Sequence, residues 1–173
     1  MKVAPDNLVT VPNCPRARTW AWVVATFFGS GRLPVAPGTG GSAAAVLLWW
    51  GLTRWIPPAW QPEMAIALSA VAIAVGIPAA TRVAREMGRK DPGCIVIDEV
   101  AGQLITLIAA PVSWKTLLVG FILFRAFDTT KPPPLRWLEK LPEGTGIVVD
   151  DIGAGLYALA VMQLLLHYRV MSA

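Results

Sequence analysis

Five of the chain's eleven carboxylates fall in three places, Asp98-Glu99, Asp128 and Asp150-Asp151, each set against an uncharged apolar run. A fourth segment, residues 29–42 (Gly-Ser-Gly-Arg-Leu-Pro-Val-Ala-Pro-Gly-Thr-Gly-Gly-Ser), is dense in glycine and proline and holds no acid. Carboxylates at the edge of a hydrocarbon environment are expensive, roughly 2.5–3.5 kcal/mol each, so they normally have a partner. A divalent cation is the simplest partner for several acids together. Backbone N–H groups of a glycine-rich loop are the simplest partner for a phosphate. The four segments together point to metal-dependent phosphate chemistry at a membrane.

Each cluster also has a plainer reading. Asp98 and Glu99 enter a helix, where the macrodipole favours acids in the first turn; that accounts for one of them better than for both. Arg125, Asp128 and Lys131 are three residues apart and share a helical face before the prolines at 132–134 stop it. They form either a cation–anion–cation ladder or a site in which Asp128 meets a metal and the cations hold phosphate oxygens. Asp150 or Asp151 would cap the last apolar helix, but one acid suffices for that. Repulsion disfavours the second unless a cation lies nearby. Magnesium suits such a place, being hard, oxygen-liganded and able to bridge a phosphate. The 29–42 loop lacks the Gly-Lys-Ser/Thr ending of a P-loop. Its last residues, leading into a helix at Ala43, offer an anion-binding helix N-terminus.

Several chemistries are excluded. The only histidine, His167, is far along the last apolar run from the acids, so phosphohistidine and two-histidine metal chemistry have no residues. There is no Asp-x-Asp-x-Thr nucleophile segment and no Cys-x5-Arg loop. Cys14 and Cys94 are isolated thiols, which indicates neither a zinc site nor a disulfide framework. The net charge is +4, yet the cations form no stripe with interleaved aromatics, so nucleic acid is not an expected partner.

The elements that must position these groups are apolar. Of 173 residues, 55% are hydrophobic and 15% charged, against about 25% charged in a soluble domain. The length fits one domain over 1–173, with residues 1–18 a polar arm that lacks the core of a cleavable signal. After a short run at Thr19–Phe28 come Ala43–Ile56, Met64–Thr81, Val100–Trp114, Thr116–Phe124 and Ile152–Leu166. Met64–Thr81 is eighteen residues without a charge, about 27 Å as a helix, and is the best candidate to span a bilayer, with Pro78 kinking its end. Residues 100–124 read as a hairpin or as one interrupted span. Eight tryptophans, mostly near run ends, suit a membrane–water interface. No alternating strand pattern competes, so the expected class is all-α, with about four membrane-embedded helices. Twelve of the fifteen cations lie in the arm and loop, in 82–98 and in 125–151. These segments share one face if the runs between them go out and back, and the positive-inside bias makes that face cytoplasmic. The acids fall on the same face.

Four blocks together resemble the phosphatidylglycerophosphatase A family of bacterial phospholipid phosphatases. They are the Gly29–Ser42 loop with Ala36-Pro-Gly-Thr39, then Asp91-Pro with Ile95-Val-Ile-Asp-Glu99, then Phe124-Arg-Ala-Phe-Asp128 with Lys131-Pro132, and finally Gly144–Asp151 with Ala154-Gly155. They recur in the family's order over about residues 28–157. The resemblance implies an all-α protein of the bacterial inner membrane, its active site facing the cytoplasm, that hydrolyses phosphatidylglycerophosphate with Mg2+. It makes Asp98, Glu99, Asp128, Asp150 and Asp151 the catalytic and metal-binding set. Arg125 and Lys131, with Thr39, Gly41 and Ser42 of the loop, are then expected to hold the substrate phosphate. The reading leaves room for a homo-oligomer. Two alternatives fit less well. A CDP-alcohol phosphotransferase needs an Asp-x2-Asp-Gly-x2-Ala-Arg pattern that is absent, and a small cation transporter would place its acids within the apolar runs rather than at their ends.

Overall fold

The computed structural model describes residues 19–138 and 141–168. The polar arm with Lys2, Cys14, Arg16 and Arg18 lies outside the described residues, as do Lys140 and Arg169. The chain forms helices α1 (Trp20–Ala25), α2 (Pro37–Leu52), α3 (Gln61–Met87), α4 (Ile97–Thr106), α5 (Trp114–Thr130), α6 (Leu135–Leu138) and α7 (Glu143–His167). Tight 3-10 turns at Phe27–Arg32 and Pro58–Trp60 precede α2 and α3. There is no strand among the described residues.

Several boundaries differ from the sequence reading, for local reasons. Helix α2 starts at Pro37 rather than Ala43, because proline's fixed φ suits the first helical position and needs no N–H partner. Helix α3 runs through Pro78 and continues past Thr81 to Met87, ending at Gly88 in the left-handed conformation. Residues 100–124 belong to two helices: Ser113 starts α5 with a capping box to Thr116. Helix α7 begins at Glu143, directly after Pro142. Asp150 and Asp151 are therefore two turns inside it, and neither is a cap.

Helix α4 is the centre. Every residue in it except Glu99 is buried, and it packs against α2, α3, α5 and α7. Glycine makes its closest approach possible: a Cβ on Gly155 of α7 would lie 2.5 Å from the Gly102 carbonyl oxygen of α4. Farther along, Gln163 donates from Nε2 to the Ile108 carbonyl at 2.9 Å, so α4 and α7 run in the same direction. Helix α3 runs opposite to α7, its last turns bound to α7's first by the Arg85–Glu143 ion pair at 2.7 Å and by the Gly144 N–H donating to Thr81 Oγ1 at 3.2 Å. Helix α5 also runs opposite, with Gly120 beside Leu107 and Met162. The starts of α2, α4 and α7 and the ends of α3 and α5 therefore meet at one end of the bundle.

Two helical stretches, Pro58–Met87 and Glu143–His167, are long and apolar enough to cross a membrane. Helix α4, at ten residues, spans about 15 Å, half of a hydrocarbon core. Trp22 and Trp49 are core residues at 2% and 1% exposure, not interface residues. The other six tryptophans are exposed.

Candidate active site

The acids come together through packing between helices. Asp98 and Glu99 occupy the first turn of α4. The Gly102 contact places the Asp151 backbone of α7 against α4, and Phe124, wholly buried, sits over the same glycine. That sets Asp128, one turn farther along α5, at the same level. Carboxylate oxygens of Asp98, Glu99 and Asp151 all lie within 4.8 Å of one another. Asp98 and Asp151 are 7% and 4% exposed. All five predicted acids and Lys131 line one cavity of about 110 Å³, together with Lys90, Asp91 and the apolar Ile95 and Ile147.

Two cations are bound to this acidic wall. Arg125 Nη1 lies 2.5 Å from Asp128 Oδ2 and 4.0 Å from Glu99 Oε1. Lys131 Nζ lies 2.6 Å from Asp150 Oδ2, whose other oxygen accepts the Asp151 N–H at 3.1 Å. Of the Arg125–Asp128–Lys131 ladder, one of the two readings of this segment, only the Arg125–Asp128 half is present. Helix α5 stops at Thr130, and Lys131 adopts a left-handed backbone at φ 43°, which swings its side chain away from Asp128 toward α7.

Asp98 Oδ1 and Glu99 Oε2 are buried without a hydrogen-bond partner. Burial pushes the Glu99 carboxyl up to about 8, with the neighbouring charges of Asp151 and Asp128 adding to the shift and Arg125 opposing it. Asp98 is raised well above the usual carboxylate range, first by burial and then by the charges of Glu99 and Asp91. Three carboxylates this close, Asp98 and Asp151 buried and Asp98 and Glu99 each with an orphaned oxygen, are unfavourable as they stand. A hard divalent cation relieves them, and an all-oxygen donor set with no histidine or cysteine suits that class of ion.

The glycine-rich segment behaves differently from the expectation. Thr39, Gly41 and Ser42 do not line the cavity. Thr39 is exposed inside α2. Gly41 packs on Val96, where a Cβ would come within 2.6 Å of the valine Cβ. Ser42 is fully buried and donates its hydroxyl to the Gly38 carbonyl at 3.0 Å. The residue that touches the site is Gly38, since a Cβ there would strike the Glu99 carboxylate. Lys90 and Asp91 were missed as site residues. Their signal was in the sequence, directly ahead of the short loop that enters α4 at Asp98.

A small all-helical bundle with an acidic, metal-capable cavity at one end of an apolar body is the class that fold and site define. Comparison with known proteins gives the family. The sequence pattern of Phosphatidylglycerophosphatase A matches residues 23–166, and the chain belongs to this family. It is 37% identical over 148 residues to phosphatidylglycerophosphatase A of Escherichia coli (strain K12), covering 84% of this chain and 83% of that one. The corresponding Haemophilus influenzae protein is 38% identical over 142 residues, covering 81% and 85%. A Bacteroides thetaiotaomicron protein, provisionally named a phosphatidylinositol-3-phosphatase, is 35% identical over 139 residues, covering 79% and 87%. No solved structure matches the chain.

Proposed function

We propose that this protein is a Mg2+-dependent phosphatidylglycerophosphatase, releasing phosphate from phosphatidylglycerophosphate at the cytoplasmic face of a bacterial inner membrane. The observation that carries the reading is the convergence of five acids and Lys131, from three helices, on one cavity in a chain of this family. At about 110 Å³, the cavity has room for roughly four waters' volume. It fits the terminal phosphate and leaves the diacylglycerol outside.

Asp98, Glu99 and Asp151 would hold the cation, which when bound supplies Lewis-acid charge to the phosphate. Asp128 and Asp150 orient Arg125 and Lys131 through their ion pairs. Lys131, on the cavity wall, holds phosphate oxygens and offsets the charge that grows on them as the ester bond breaks. Arg125 does not line the cavity and acts from behind Asp128 through their ion pair. Lys90, lining the same cavity, adds a second positive group on its wall. The apolar Ile95 and Ile147 on the wall limit the water that screens these charges.

The orientation rests on where charge lies in the fold. Arg82, Arg85, Arg89 and Lys90 cluster at the end of α3, and Arg125, Lys131 and Arg136 at the end of α5 and in α6. Arg54 and Lys115 are at the opposite end, beside exposed Trp50, Trp55, Trp60 and Trp114. This asymmetry supports a cytoplasmic site end, with four of the six exposed tryptophans toward the other side.

The test is phosphate release from phosphatidylglycerophosphate by purified protein in detergent micelles. Release with Mg2+, its loss in EDTA and its return on adding Mg2+ are expected. No release with Mg2+ present refutes the assigned activity. Undiminished release in EDTA refutes the metal.

A further inference from the structure

The first turns of α4 have two faces. Asp98 and Glu99 look into the acidic cavity. Ile97, Val100 and Leu104, spaced three and four apart, form the floor of a second cavity of about 220 Å³ between α2 and α3. Every side chain lining this groove is apolar. Its α3 wall extends from Leu68 to Val75, about 10 Å along the helix.

We infer that this groove seats an acyl chain of the lipid substrate, an inference that rests on the lipid-phosphatase reading above. Proximity to the acidic cavity, one residue away along α4, is the first argument. The groove reaches Ile97, which packs against Gly76 and is bonded to Asp98, so a chain lying in it brings its glycerol end to the turn that carries the acids. The phosphatidylglycerophosphate head group places a phosphodiester and a glycerol between the acylated glycerol and the terminal phosphate. That spacer lets one molecule occupy both sides of the turn.

The second argument is backbone strain at the groove. Phe27 and Phe28 line it and hold left-handed conformations at φ 40° and 55°, which bulky residues rarely adopt and which the surrounding structure must hold in place. Phe28 is 81% exposed, an apolar ring beside an apolar groove. A chain already in a bilayer gains little affinity from another apolar wall. The groove therefore acts by fixing the depth and direction of the lipid, not by adding binding energy.

The test uses the full-length protein in phosphatidylcholine nanodiscs with phosphatidylglycerophosphate carrying a diazirine at the end of one acyl chain. Photolabelling is expected to concentrate on residues 68–75 and 97–104, about tenfold above the exposed Leu156 and Leu164 of α7, and to be displaced by unlabelled phosphatidylglycerophosphate. Val71→Trp, at a lining residue that is 58% exposed, fills the groove from its rim and is expected to cut that labelling about tenfold. Labelling spread evenly over α3 and α7, or unchanged in Val71→Trp, overturns the inference. Phosphate release from intact phosphatidylglycerophosphate by the wild-type protein is measured on the same preparations. Its absence with Mg2+ present refutes the hydrolase reading, while the labelling pattern still decides the groove.

Discussion

Asp151→Asn should make the protein inactive and, without metal, more stable. Asp151 is 4% exposed and shares a 4.8 Å cluster with Asp98 and Glu99. At that separation two unit charges repel by about 3.5 kcal/mol with an effective dielectric constant near 20. Asparagine keeps the size and one carbonyl oxygen but removes the charge, and that repulsion with it. Turnover should fall at least about 100-fold, equivalent to roughly 2.7 kcal/mol of transition-state stabilisation. Two assays on one preparation decide it: thermal unfolding in EDTA, and phosphate release titrated with Mg2+. A variant that melts higher than wild type in EDTA, is not further stabilised by Mg2+ and releases little phosphate fits the reasoning. A variant with turnover within about threefold of wild type, or one that melts lower in EDTA, refutes it.

Gly38→Ala places a methyl against the Glu99 carboxylate, the movable end of a side chain, so melting should change little while the Mg2+ requirement for phosphate release rises. Gly155→Ala meets the rigid Gly102 backbone instead and should cost about 1–3 kcal/mol of stability, read by thermal unfolding in detergent. Lys131→Gly and Lys131→Ala should lose phosphate release equally, at least about tenfold. The glycine variant should be the more stable by about 0.5–1 kcal/mol, because position 131 has φ 43°. A cysteine replacing Arg89, in a background without the native cysteines, should be shielded from impermeant thiol reagents in intact cells; ready labelling would reverse the proposed orientation.

Some of this protein was legible residue by residue. Helical class follows from long apolar runs without strand alternation, and the family from four motif blocks in order, since both are properties of local sequence. Asp98-Glu99, Asp128 and Asp150-Asp151 stood out because adjacent or isolated acids beside apolar runs need a partner, whatever the fold. Helix ends were less legible. Pro37 and Pro142 start helices well ahead of the apolar runs they introduce, and a proline reads equally as a loop and as a first turn.

What only the tertiary structure decided is which groups meet. Thr39, Gly41 and Ser42 have the composition of a phosphate loop. The close approach of α2 to the segment before α4 instead uses Gly41 for packing and leaves Gly38 at the site. Lys131 is in register with Asp128 along the sequence, but a left-handed cap after Thr130 gives it to Asp150. The grouping of Asp98, Glu99 and Asp151 depends on α4 and α7 running in the same direction with two glycines in contact. Partners fifty residues apart leave no periodic trace in either segment. Charge and hydropathy are local and show in the chain, whereas register between helices is set by side-chain shape at their crossings and exists only once they pack.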